Sequence, residues 1–267
     1  MSTPAPPTAA IYRWHNDELE LLDYCDMTDT VVEVADSWLV SDGRTLALQL
    51  HRSRFLNSIS EARYDEIDPL AFWDAVIAAI PREGDWFPRV ELQSRGGAPL
   101  LVFRLRSAPE RSVGVVVATH TGPDPRTQPT IKGPDLDAMQ RLRTTAQKLG
   151  AGEAVILNDD GFVVEGAYSS LVWWRGAILC SPPAEFERID SVTARSLIGL
   201  AEALGVETYT EAVTPAELEG VELWALSALH GPRIVTAWHE GPELAELPGR
   251  LRLWRDKLTA LRHSIDH

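Results

Sequence analysis

"EAVILNDDGFVVEGAYSSLVWWRGAILCSPP", residues 153–183, reads as four short strands in succession. "EAVILN", "FVVEGAY", "SLVWW" and "AILC" are rich in β-branched and aromatic residues, with "DDG" and "RG" as hairpin turns between them. Helical patterns flank the run. Upstream, the spacing predicts a helix over 134–149 with Leu136, Met139, Leu142, Ala146 and Leu149 on one face and Gly150 as its stop. Downstream, a helix over 192–204 follows Asp190 or Ser191 as cap and ends at Gly205. "VELWAL" and "RIVTAW" extend the strand set, and a closing amphipathic helix presents Leu251, Trp254, Leu258 and Leu261.

The N-terminal part reads differently. "TVVEVADSWLV" and "RTLALQLH" look like strands around the turn "SDG", then a helix from Asp68 runs to Pro81. "RVELQS", "APLLVFRLR" and "SVGVVVATH" follow as strands. The proline-rich "THTGPDPRTQPT", 119–130, reads as a linker. These patterns predict an α/β (α+β) chain with a flexible tail at 1–10, an N-terminal α/β domain at 11–119, a linker at 120–130 and a C-terminal domain at 131–267. A site at the junction of the two lobes is the natural expectation.

Composition narrows the partners. The chain has 267 residues, 45% of them hydrophobic, enough for a sizeable core. A formal charge of −14 opposes binding to phosphate backbones, so no nucleic acid is expected. No apolar run approaches the ~20 residues that span a bilayer, so no membrane is expected either. "MSTPAPPTAA" lacks the regions of a signal peptide. Two cysteines far apart, Cys25 and Cys180, predict no disulfide framework and a reducing cytoplasm, and no histidine pair has zinc spacing, so no metal is expected.

Three lysines stand among 25 basic residues. Lys132, between the linker and a helix, is either a solvated charge or a Schiff-base nucleophile, since an amine condenses with an aldehyde and a guanidinium does not. Lys148 and Lys257 read as surface charges. Glu165, set among Val163, Val164 and Gly166, is either an outward edge residue or a buried carboxylate with a cationic partner; a protonated pyridine nitrogen would serve. The helix start at Val192 and Thr193 offers free amides to a phosphate, as helix starts in general do. Arg54 is either a phosphate partner or a surface charge. His51 and His230 read as structural by themselves.

Taken together, these segments resemble the class IV aminotransferase family, the fold-type IV enzymes that use pyridoxal 5'-phosphate. The resemblance spans about residues 37–235. It implies a two-domain fold with a small N-terminal α/β domain and a larger C-terminal pseudo-barrel. "DGRTLALQLHRSRFLNS" resembles the stretch whose arginine contacts the cofactor phosphate, here Arg54. "IKGPDLDAMQRLR" resembles the segment of the Schiff-base lysine, here Lys132. The opening run resembles the one whose glutamate partners the pyridine nitrogen, here Glu165. "DSVTARSLIGLAEALGVE" resembles the phosphate-cup helix, with Val192 and Thr193 supplying amides. "ALSALHGPRIV" resembles the late segment of the lyases, which implies Ala228 near the cofactor and His230 near the substrate, with Ser37 and Arg95 as further substrate positions.

Some positions depart from the family pattern. Asp135 stands where asparagine is usual, Ser169 and Ser170 replace "EN" or "AN", Ala194 replaces an arginine, and "VADSW" stands where an "FEG"-like motif shapes the pocket. The resemblance favours 4-amino-4-deoxychorismate lyase, releasing pyruvate to give 4-aminobenzoate in the folate pathway. The alternative is a class IV aminotransferase of branched-chain or D-amino-acid type, and a further one is a non-catalytic cofactor-binding or scaffold homologue. A small amino substrate and a homodimer are implied with it.

Overall fold

A computed structural model describes residues 9–22, 30–62, 64 and 67–266, and the chain divides into two units, Met1–Glu110 with Arg262–His267, and Arg111–Leu261. In the first, β1 (Ala9–His15) and β2 (Glu18–Leu21) form a hairpin that the sequence reading did not anticipate. Its two-residue turn, Asn16-Asp17, holds positive φ at both positions, 49° and 61°. That conformation matches the twist of the strands it joins, and Asn and Asp tolerate it best after glycine. Ala9 and Ala10, assigned to the tail, open β1, because they pair with Arg106 and Leu105; residues 1–8 lie outside the described residues, as does Cys25.

β3 (Val31–Ser37), β4 (Val40–Ser41) and β5 (Arg44–Leu46) follow, β4 and β5 turning on Asp42-Gly43 as the "SDG" signal predicts. The strand expected over 44–51 stops at Leu46. Ala47 takes a left-handed φ of 50°, and α1 (Leu48–Glu61) begins. Leu48, His51, Phe55 and Ile59 are its buried residues, a three-to-four spacing that only a window longer than "RTLALQLH" reveals. α2 (Pro69–Ala79) starts as predicted, the Asp68 carboxylate accepting from the amides of Leu70 and Ala71. β6 (Asp85–Trp86), β7 (Arg89–Arg95) and β8 (Ala98–Arg106) complete the run, β7 and β8 being two of the expected strands, paired antiparallel over Gly96-Gly97. One sheet has the order β2-β1-β8-β7-β3; the other is β17-β5-β4-β6, where β17 (Arg262–Ser264) comes from the far end of the chain. Trp38, Phe55, Phe72 and Trp73 fill the core, with the Trp38 and Trp73 rings 4.9 Å apart.

The second unit is built on an eight-stranded mixed sheet. Its strands are β9 (Gly114–Thr119), β10 (Glu153–Leu157), β11 (Val163–Gly166), β12 (Ser170–Arg175), β13 (Ile178–Ser181), β14 (Thr208–Thr210), β15 (Glu222–Ser227) and β16 (Gly231–His239). Their order is β11-β10-β9-β16-β15-β12-β13-β14. β9 runs parallel to both β10 and β16. Parallel neighbours need a crossover, and α3 (Leu136–Lys148) supplies it between β9 and β10. This pairing moves the boundary. β9, assigned by sequence to the first domain, belongs to the second unit, and the expected linker 120–130 is part of the loop from β9 to α3. The last strand is displaced the other way, since β17 pairs with β5.

α3 packs Ala138, Met139, Leu142 and Ala146 against Ala154, Ile156 and Ala167. Leu149, expected on that face, is 47% exposed, because the helix ends at Lys148 and Gly150 turns the chain with φ 78°. α4 (Val192–Ala203) matches its predicted span closely, and α5 (Arg250–Ala260) forms where the closing helix was expected; Leu261, expected on its apolar face, falls past its end and is 39% exposed. Among the described residues no helix is long and apolar enough to cross a membrane.

Candidate active site

Glu165 lies on β11 and is buried, which removes the edge-residue alternative. Arg126 donates to its Oε1, the backbone amide of Ile189 also bonds to the carboxyl, and the charges of Arg126, Lys132 and Arg188 act on it. Burial nonetheless outweighs these neighbours and raises the group to about 7. A carboxyl raised in this way is one that a further cationic or N–H partner would stabilise as the anion. Next to it, Gly166 admits no side chain, since a Cβ would come within 2.5 Å of the Ser169 hydroxyl. Ser169, one of the departures from the family pattern, donates to buried Glu153 at 2.9 Å and so closes the turn that follows Glu165. Serine serves that purpose where a larger polar residue is usual.

Lys132 is half-buried on the loop from β9 to α3. Asp135 shapes that loop. Its carboxylate accepts from the Thr127 amide at 2.9 Å, the Thr127 hydroxyl at 2.8 Å and the Gln128 amide at 2.9 Å. These bonds draw residue 127 back to residue 135 and hold the lysine between them. An asparagine offers a single acceptor oxygen for the same donors, so the aspartate strengthens the clasp. Arg126, one residue before the clasp, also pairs with Asp124 at 2.6 Å, and both carboxylates keep its charge in place. Sequence reasoning missed Arg126, because it sits in an aperiodic proline-rich stretch. Its six-residue spacing from Lys132 was the one available signal.

α4 begins beside this group. Ser191 caps it, its hydroxyl accepting from the Ala194 amide at 3.2 Å. The cap leaves the Val192 and Thr193 amides, at the first two helical positions, outside the intrahelical ladder. Both residues are buried. Ala228 and His230 lie in the loop between β15 and β16, where the Ser227 hydroxyl accepts from the His230 amide at 3.2 Å. Lys132, Glu165 and the approach to α4 are therefore brought together within the second unit.

Arg54 is on α1 in the first unit. Its Nε and one terminal nitrogen each donate to Asp36 at 2.8 Å, and His51 Nδ1 meets the same carboxylate at 2.8 Å. Burial alone would raise Asp36, but Arg54 and His51 hold it well below the usual carboxylate range. His51 is thus structural, as read, and Arg54 is neither random nor a bare surface charge. The Ser37 amide joins the same carboxylate at 2.7 Å. Arg95 stands apart from this group, exposed at the turn between β7 and β8.

The donor set fits a phosphorylated pyridine aldehyde: free helix-start amides for phosphate, a buried carboxyl for a ring nitrogen, and an amine for the aldehyde. Among curated proteins, none matches the sequence. Solved structures do. The chain is similar to a hypothetical aminotransferase from Mycobacterium tuberculosis in its PLP-bound form, with 20% identity, a TM-score of 0.78 and coverage of 95% of this chain and 98% of that one. It is similar to the fold IV-transaminase CpuTA1 from Curtobacterium pusillum, with 19% identity, a TM-score of 0.77 and coverage of 95% and 97%. It is also similar to the branched-chain amino acid aminotransferase from Escherichia coli, with 14% identity, a TM-score of 0.78 and coverage of 98% and 100%. At these identities the likeness speaks for the fold. The sequence itself matches the family model described as amino-transferase class IV over residues 33–238, and the chain belongs to that enzyme family.

Proposed function

We propose that this enzyme transfers an amino group between an amino acid and a 2-oxo acid with pyridoxal 5'-phosphate as cofactor. The observation that carries the reading is the grouping of Lys132, buried Glu165 and the free-amide start of α4 in one unit. When bound, the cofactor supplies an aldehyde that condenses with amines and an electron-poor ring that accepts electrons from the substrate Cα.

The chain's residues do the rest. Lys132 would hold the cofactor through its amine, and its free Nζ would be the base placed to take up and give back the proton of the substrate Cα. The clasp at Asp135 keeps that amine from sweeping into solvent. Glu165 holds a proton at the ring nitrogen, and Arg126 fixes the carboxyl's orientation. The Val192 and Thr193 amides, with the loop at Ala228, would hold phosphate; Arg54, which the family resemblance offers for the same group, is held by Asp36 in the first unit. Ser37, His230 and Arg95 remain candidates for reading the substrate. A homodimer acting in the cytoplasm accompanies this reading by family analogy.

The lyase preferred from sequence rests on the single segment "ALSALHGPRIV". The similar solved structures are transaminases, and the transaminase alternative is therefore favoured. In the test, borohydride reduction of the cofactor-loaded wild type should trap a covalent adduct, and Lys132→Ala should show none and no transamination. Full activity in that variant overturns the assignment. Release of pyruvate from aminodeoxychorismate, with no half-reaction on any amino acid, would return the lyase.

A further inference from the structure

Acidic residues outnumber basic ones 39 to 25, yet guanidinium groups gather around His230 in the second unit. Arg255 of α5 donates through one nitrogen to the His230 carbonyl at 2.8 Å and to the carbonyl of Pro232. Arg233 of β16 is 6% exposed. Its nearest carboxylate oxygen, on Glu153, is 3.7 Å away, and its buried Nε has no hydrogen-bond partner. Glu153 is already engaged by Ser169 and by the amides of Ala154 and Tyr168. Arg143 of α3 is half-buried, its guanidinium carbon 5.5 Å from the centroid of the Tyr168 ring. Arg111 faces His230 as well, and burial with these four charges pushes the imidazole down to about 4.

His230 is thus neutral near pH 7. Its Nδ1 accepts from the Ser112 amide at 3.1 Å, which leaves the ring proton on Nε2 as a donor. Guanidiniums whose like charges act on one another, one of them with a buried unsatisfied N–H, are stable together when an anion joins them. Forked N–H donors match the oxygens of carboxylate and phosphate groups.

We propose that Arg143, Arg233 and the Nε2–H of His230 face a binding site for a small oxyanion, a carboxylate or a phosphate group. It shares His230 with the substrate-reading candidates but no residue with the helix start at Val192 and Thr193, and it does not depend on the role of Lys132. The test is calorimetric titration of the protein saturated with pyridoxal phosphate. Inorganic phosphate is the probe in one arm and glutarate, which has neither an amino nor a keto group, in the other. Binding is expected in at least one arm, weakened about tenfold by Arg143→Gln, the scale of one charge-assisted hydrogen bond. Arg141→Gln, an exposed change on the same helix, should leave it unaltered. Heat from phosphate alone assigns a phosphorylated ligand, and heat from glutarate alone a carboxylate. No heat in either arm overturns the proposal, and so does an equal loss in Arg141→Gln. A change of oligomeric state in Arg143→Gln, with wild type binding neither anion, also overturns it and makes the cluster a subunit contact.

Discussion

Glu165 could be placed by sequence among apolar neighbours, but its partners could not. Three cations act on it, and it still stands near 7, well above its ordinary 4.5. The sign of the consequence follows. Between 4.5 and 7 the folded chain keeps a proton that the unfolded chain has released, so this group's contribution to stability is complete below 4.5 and is lost as pH rises through 7. In cofactor-free protein, the stability difference between wild type and Glu165→Gln, from urea unfolding at a series of pH values, should drop by on the order of 3 kcal/mol across that window. A difference that stays level would count against a buried protonated carboxyl. Asp36 is the opposite case: with Arg54 and His51 both bonded to one carboxylate it stays ionised, and its contribution is lost only in acid. Lys132 was legible because lysine is scarce in this chain. Asp135 was visible as a departure from the family pattern, but its hydrogen bonds across the loop were not.

At the level of elements, local signals served where they were strong and self-contained. Asp68 before Pro69 announced α2, and Ser191 before Val192 announced α4. The Asp68 cap is predicted to be worth about 1 kcal/mol, so Asp68→Ala should lower the urea midpoint by a corresponding amount without changing the slope; an unchanged midpoint would mean that water replaces the cap at no cost. α1 was misread because "RTLALQLH" alternates over its first residues like a strand, and the helical stripe emerges only once Phe55 and Ile59 are included. The Asn16-Asp17 turn is a recognisable hairpin signal that went unused, because no strand was assigned before residue 30.

For the whole chain, sequence order and spatial order part company at both edges of the second unit. β9 leaves its chain neighbours to lie between β10 and β16, and β17 returns to β5. Removal of residues after Leu261 would strip the β17 ladder, the 2%-exposed Ile265 and the Arg82–Asp266 pair at 2.9 Å from the first unit. The truncated chain should therefore melt lower by about 5 °C or more. An unchanged melting temperature would show that the terminal strand adds nothing measurable.

The sequence by itself carried the family resemblance in its motifs, gave the element types across 153–183, and singled out Lys132 and Glu165 as candidates, because these depend on local pattern and on residue chemistry. Tertiary structure alone decided where the units divide, that the presumed linker is a crossover loop clasped by Asp135, that Arg126 and Asp36 have partners, and that arginines gather about His230. Strand pairing and ion pairing join residues far apart in the chain, and no pattern along a single stretch encodes which distant group will be the neighbour.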